Sequence, residues 1–442
     1  MHGRTPLMKA AVTGHQSVFD LLVSNQADPT LVDTSGDSLL HLACQGGNTA
    51  IVQHLLSPSN INSRGEYGWT PLMKAAVNGH QSVFDLLVSN QADPTLVDTS
   101  GDSLLHLACQ GGNTAIVQHL LSPSNINSRG QLGRTPAMMA AASGHQSVFD
   151  LLVSNHADLT LVSTYGDSLL HLACQGGNTA IVQHLLSPSN INSRGMHGRT
   201  PAMMAAVGGH QSVFDLLVSN QADLALVSTS GDSLLHLACQ GGNTAIVQHL
   251  LSPSNINSRG QLGRTPAMVA AVSGHQSVFD LLVSIQADLT LVSTYGDSLL
   301  HLACQGGNTA IVQHLLSPSN INSRGQLGRT PAMMAAVGGH QSVFDLLVSN
   351  QADLTLVSTS GDSLLHLACR GGNTAIVQHL LSPSNINSRG QLGRTPAMIA
   401  AVSGHQSVFD LLVSNQADLA LVSTWLFFHM LLFVAGVQLE CN

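Results

Sequence analysis

Lysine is nearly missing. Lys9 and Lys74 are the only two in 442 residues. All charged residues together make up 9% of the chain, against a norm of about 25%. Asp and Glu number 24 and Lys and Arg 15, so the balance is mildly acidic. A nucleic-acid binder needs a basic face to release counterions from phosphates, and this composition speaks against one. Aromatics are scarce as well, at 3%, with two Trp and three Tyr. No C-x-x-C or H-E-x-x-H spacing occurs, which removes the strongest sequence signals for zinc. No N-x-S/T sequon and no signal-peptide pattern is found, so a cytoplasmic chain is expected.

What the chain lacks above all is a unique place. The stretch GDSLLHLACQGGNTAIVQHLLSPSNINSRG, Gly36 to Gly65, returns at Gly101, Gly166, Gly231, Gly296 and Gly361. One residue changes across the six copies: Gln45 becomes Arg370 in the last. Each step is 65 residues. The text between copies repeats too, from Gly3, Gly68, Gly133, Gly198, Gly263, Gly328 and Gly393. The period therefore splits into a 33-residue A unit and a 32-residue B unit, which align with each other. A repeat of about 33 residues means stacked modules. Hydrophobic residues, at 44%, suffice for one continuous core in an elongated array.

Each unit reads as two helices and a turn. In the first A unit Thr5 suits an N-cap and Pro6 the first helical position, where its missing N–H costs nothing. Ala10 and Ala11 allow close helix approach. Gly14 supplies a left-handed stop. A second helix is predicted from about Gln16 to Ser24, with Val18, Phe19, Leu22 and Val23 on one stripe. Pro58 and its repeats end the second helix of B.

The residues Thr5-Pro6-Leu7 of A and Leu40-His41-Leu42-Ala43 of B resemble the ankyrin repeat, whose signature includes T-P-L-H-x-A. A departs from it with Met8 in place of His, and B with Ser38-Leu39 in place of Thr-Pro. The resemblance runs from Gly3 to about Thr424 and counts thirteen repeats, seven A and six B. It implies an all-α solenoid of stacked helix–turn–helix units with β-hairpin tips, filling residues 1–424. It implies protein or peptide recognition without catalysis. No cofactor, metal, nucleic acid or small-molecule substrate is expected.

Of 23 histidines, nineteen occupy fixed places, of the His15, His41 and His54 types. They could bind metal; backbone hydrogen bonding within and between units is the preferred reading. Cys44, Cys109, Cys174, Cys239, Cys304 and Cys369 sit two repeats apart, or ~20 Å for helix layers about 10 Å thick. A disulfide needs Cα atoms within roughly 7 Å. These cysteines read as free core thiols in a reducing compartment.

Departures from repetition point to specificity. Large aromatics fall at tip positions: Tyr67, Trp69, Tyr165, Tyr295, and Trp425 at the array's edge. Before the unit glycine stand Leu132, Leu262, Leu327 and Leu392; after it stand Arg134, Arg199, Arg264, Arg329 and Arg394. Tyr, Trp and Arg are enriched at binding hot spots. Mid helix one varies as Lys9, Lys74, Met139, Met204, Val269, Met334 and Ile399. With Leu42 and its repeats these should form an exposed apolar stripe on the concave face. Arg4, Asp37 and their repeats suggest a ladder of tip charges. The expected protein-binding site is Tyr67, Trp69, Leu132, Arg134, Met139, Tyr165, Arg199, Met204, Leu262, Arg264, Val269, Tyr295, Leu327, Arg329, Met334, Leu392, Arg394 and Ile399, and partners should meet it after Gly133.

The last stretch, residues 425–442, is a hydrophobic non-repeat tail. Leu419 to Leu439 carries no charge over 21 residues, near the ~20 that span a bilayer. A gene-model break, a cap on the last repeat and a membrane anchor are the three readings, in that order. The anchor would make the chain a membrane-tethered ankyrin receptor.

Overall fold

The computed structural model describes residues 3–421. The tail at 425–442, with Trp425 and the three readings that concern it, lies outside the described residues. Among the described residues twenty-six α-helices make thirteen pairs, one for each unit of the sequence. The first four set the pattern: α1 (Pro6–Thr13), α2 (Gln16–Ser24), α3 (Leu39–Gly46) and α4 (Thr49–Leu55).

The local signals act as their chemistry dictates. Thr5 Oγ1 accepts the Met8 N–H at 3.3 Å, and Pro6 opens α1. Gly14 takes φ 70°, and His15 N–H then closes on Ala10 O at 3.0 Å. Asn48 caps α4 through the Ala50 and Ile51 N–H groups. Its amide also donates to Gly14 O at 3.0 Å, which ties the B unit to the end of α1. Helix α4 stops at Leu55, just before Ser57-Pro58.

The chain divides into two compact units, Met1–Thr229 and Ser230–Asn442. In the first, helix one of each repeat packs on helix one of the next, from α1 and α3 to the helix Pro201–Gly208. In the second, the same layer runs from Leu234–Gly241 to Pro396–Val402. Second helices make a thinner outer layer in each. Small buried residues, Ala10, Ala11, Ala43 and Cys44, let the first helices approach closely. Gly46 belongs to that interface: a Cβ there would collide with the carbonyls of Ala11 and Val12.

One fully buried Phe per A–B pair anchors the second layer, as Phe19 and Phe84 do. Phe19, Phe84, Phe149, Phe279 and Phe344 each meet a B-unit histidine edge-on; Phe19 and His54 have ring centroids 5.7 Å apart. From the second A unit to the sixth the stripe holds as Val83, Phe84, Leu87 and their repeats, all buried; in the seventh Phe409 is half-buried.

The tips are tighter than the β-hairpins that the resemblance implies. No strand occurs among the described residues. The turn entering a B unit closes on Asp33 N–H to Asp37 O at 3.0 Å, with an isolated bridge between Val32 and Ser38. The turn entering an A unit closes on Gly65 N–H to Trp69 O at 2.9 Å around the 3-10 turn Glu66–Gly68.

Candidate protein-binding edge

Successive tips are stitched to each other by main-chain groups. Tyr67 O accepts Thr99 N–H at 3.0 Å and the Thr99 hydroxyl at 2.8 Å. Leu132 O accepts Thr164 N–H at 2.8 Å, Leu262 O accepts Thr294 N–H at 2.8 Å, and Leu327 O accepts Thr359 N–H at 2.9 Å. Arg64 Nη1 donates to Gly68 O at 3.1 Å and Val97 O at 2.8 Å, and Arg129, Arg194, Arg259 and Arg324 repeat the clasp. These clasp arginines are the same in every copy, so a search for differences passes over them.

The stitch fixes an unusual backbone at the tip. Tyr67, Leu132, His197, Leu262, Leu327 and Leu392 all have φ between 56° and 58°. That region is uncommon for non-glycine residues and costly for bulky ones. The side chains nevertheless face solvent: Leu262 is 40% exposed and Tyr67 62%. Tyr165 and Tyr295, in the turns that enter B units, are exposed as well. The structure thus brings the expected tip residues to one edge within each compact unit.

The residue after the unit glycine is half-buried in every A unit. In the first two it has a partner. Arg4 Nε donates to Asp33 Oδ2 at 3.1 Å, and Trp69 Nε1 donates to Asp98 Oδ2 at 3.0 Å. In later units that acceptor is Ser163, Ser228, Ser293 or Ser358. Arg264 and Arg329 then keep a buried Nε with no hydrogen-bond partner. The expected ladder between Arg4 and Asp37 does not form: Arg4 takes Asp33, and Asp37 pairs with Lys74.

The expected exposed stripe on helix one is corrected. Met139, Met204, Met334 and Ile399 are buried, as are Leu42, Leu107, Leu172, Leu237, Leu302 and Leu367. Val269 is half-buried. The reason is the close first-helix packing, together with the tip side chain that lies above the position. Lys74 makes this plain: it is 4% exposed, bonds to Asp37 Oδ2 at 2.6 Å, and sits 5.2 Å from the Trp69 ring centroid. Val269, shorter than methionine, lines a hollow of about 100 Å³ together with Asp232, Leu237, Gln261 and Arg264.

The histidines are built into the backbone network. His41 Nδ1 meets the Ser38 hydroxyl at 2.7 Å, while Nε2 reaches Ser63 O at 3.0 Å and Trp69 O at 3.1 Å. His80 Nε2 reaches Gln45 O at 2.9 Å, across the unit boundary. Burial holds the His41 pKa below its ordinary value, against the opposing pull of Asp37. Burial likewise pushes the thiols of Cys44 and its repeats far up, to about 12 at Cys369. No helix among the described residues is long and apolar enough to cross a membrane.

A family model described as "Ankyrin repeats (3 copies)" matches residues 7–98, 90–163, 147–227, 220–293, 285–358 and 345–422. The chain is 30% identical over 403 residues to the ankyrin repeat and KH domain-containing protein mask-1 of Caenorhabditis elegans, covering 85% of this chain and 15% of that protein. It is 25% identical over 439 residues to human transient receptor potential cation channel subfamily A member 1, covering 86% and 39%. It is 30% identical over 229 residues to the mouse B-cell lymphoma 3 protein homolog, covering 49% and 51%. The chain thus spans about half or less of the length of these relatives.

Proposed function

The chain belongs to the ankyrin repeat family, and from that premise we propose that it is a non-catalytic scaffold that recognises a protein or peptide along its tip edge. Ankyrin repeat domains are generally protein-binding modules. The observation that carries the reading here is the row of tip residues, Tyr67, Leu132, Leu262, Leu327 and Leu392. They combine exposed apolar surface with a left-handed backbone. Both features cost stability, and side chains kept under such strain gather at ligand clamps and binding sites. Tyr165 and Tyr295 extend the edge, and the half-buried Trp69 and the arginines at Arg134, Arg199, Arg264, Arg329 and Arg394 flank it. Met139, Met204, Val269, Met334 and Ile399 form the floor beneath, reached by a partner only where the packing leaves a hollow, as at Val269. Six buried thiols with raised pKa values support a reducing compartment such as the cytoplasm.

Proximity labelling with the wild-type chain and with Leu262→Ser/Leu327→Ser/Leu392→Ser tests this reading. Partners enriched by the wild type should be lost from the triple variant while its unfolding midpoint is kept. An unchanged partner set would contradict the proposal.

A further inference from the structure

Arg264 and Arg329 each carry a buried Nε that lacks an acceptor. The first A unit displays what such an atom takes. There Arg4, at the same register, gives its Nε to the Asp33 carboxylate at 3.1 Å. In the second A unit the Trp69 N–H goes to Asp98 in the same way. Beside Arg264 and Arg329 the acceptor position holds Ser293 and Ser358. Their hydroxyls accept the N–H groups of Asp297 and Asp362, each at 3.1 Å. A serine is also too short to reach the guanidinium as Asp33 does.

The other carboxylates nearby accept main-chain N–H groups through Oδ1; Asp232, which lines the hollow beside Arg264, takes the Gln261 N–H at 2.7 Å. Asp297 Oδ1 accepts Gln326 N–H at 2.7 Å. Asp362 Oδ1 accepts Gln391 N–H at 2.7 Å, and its Oδ2 faces Arg370 at 3.5 Å. Arg370 is the one residue that sets the last B copy apart. It gives Asp362 a cation of its own; burial, and after it the Arg370 charge, lower the Arg329 pKa against the opposing pull of Asp362 and Asp297. Two carboxylates, Asp297 and Asp362, thus act on Arg329 by charge, yet its Nε and that of Arg264 keep no acceptor.

We propose that Arg264 and Arg329 receive carboxylates from an extended acidic segment of the protein partner. This rests on the protein-binding reading above and names the chemistry of the partner. The present rotamers make no hydrogen bond through Nε, so none is broken there when a guanidinium turns outward to a ligand. Arginine pairs strongly with carboxylates, often through two parallel bonds. The two arginines stand two repeats apart, or about 20 Å for layers about 10 Å thick. An extended chain advances roughly 3.3 Å per residue, so the acidic residues of the partner are about six positions apart. A carboxylate is favoured over phosphate because Asp33 is the ligand that the chain itself uses. A net charge of −9 also opposes a polyanion such as RNA more than a peptide with two acids.

The test is peptide display against the immobilised full chain, followed by affinity measurement on the selected peptides. Enrichment of acidic pairs about six residues apart is expected. Arg264→Gln/Arg329→Gln should then weaken binding about tenfold or more, as truncating a paired charge at an interface does. Ser293→Asp/Ser358→Asp should weaken it similarly by satisfying the arginines internally, and should raise the unfolding midpoint. Combining the two pairs should not add their losses, because both act on the same guanidinium groups. Selected peptides without paired acids, or acidic peptides indifferent to these variants, would overturn the carboxylate assignment and leave the scaffold reading standing. Polyuridylate RNA that binds more tightly and is lost in the same variants would reassign the site to phosphate. A selection that enriches nothing would count against both proposals.

Discussion

Lys74 Nζ lies 2.6 Å from Asp37 Oδ2, with the side chains 5% and 0% exposed. One period later Met139 stands in the lysine's place, and Asp102 takes the Gln131 N–H at 2.7 Å. The same slot therefore accepts an ion pair or a thioether. Breaking a buried pair by removing one partner can cost about 3–5 kcal/mol. Because Asp102 already persists beside methionine, Lys74→Met should cost less, about 1–3 kcal/mol. Denaturant unfolding of Lys74→Met, Asp37→Asn and the double variant measures it. The double variant should be more stable than the two losses summed; strict additivity would show the pair to be uncoupled.

Acid should weaken the fold before any carboxylate titrates. His41, His106, His171, His236, His301 and His366 are buried, and burial lowers the pKa of each. The unfolded chain then binds more protons than the folded one once the pH drops through the ordinary histidine value, about 6.5. Stability is fully present above that value and is lost as the pH falls through it toward the folded pKa. The lowered pKa values of exposed Asp28, Asp93 and Asp158 act only below about pH 4. Thermal unfolding midpoints should fall between pH 7.5 and about 5.5. A flat profile over that window would contradict the buried, neutral histidines.

The tip backbone predicts a trade between stability and binding. Leu327 has φ 56°, a region that asparagine tolerates better than leucine. Leu327→Asn should therefore stabilise the chain by about 0.5–1 kcal/mol while removing an exposed apolar contact. Calorimetry and partner affinity, measured on the same variant, should move in opposite directions. A loss of stability would mean that the leucine is held by packing.

The thiols should be silent in the native state. Cys44 and its five repeats are buried, with pKa values raised by burial. Alkylation at neutral pH should leave these six unmodified until the chain unfolds. Labelling of any of them in the native protein at the rate of a free thiol would contradict their place in the first-helix interface.

The helix pairs were readable because Thr5, Pro6, Gly14 and Asn48 act within a few residues of where they stand. The count of thirteen pairs followed from the period alone. Burial of Met139 and Met204 was not readable from their variability, which suggested surface. Variation there is allowed because a lysine finds Asp37 beneath it and a methionine finds neighbouring first helices. The orphaned arginines had a signal in the sequence, the change from Asp33 and Asp98 to Ser163, Ser293 and Ser358. Its meaning depends on a contact across 29 residues, Arg4 to Asp33, which the local pattern does not reveal. The tip geometry of Leu262 and Leu327 was likewise hidden, since a positive φ at leucine runs against local preference.

The most direct test of recognition along the tip edge is site-specific photocrosslinking in the full chain. A photoreactive residue is placed at Leu327, on the tip, or at Gln313, an exposed position of the second helix Thr309–Leu315. A partner identified by proximity labelling should crosslink from position 327 and not from 313, and Leu262→Ser/Leu392→Ser should reduce the yield. Crosslinking from 313 with none from 327 would place recognition on the second-helix face and rule out the tip edge as the binding site.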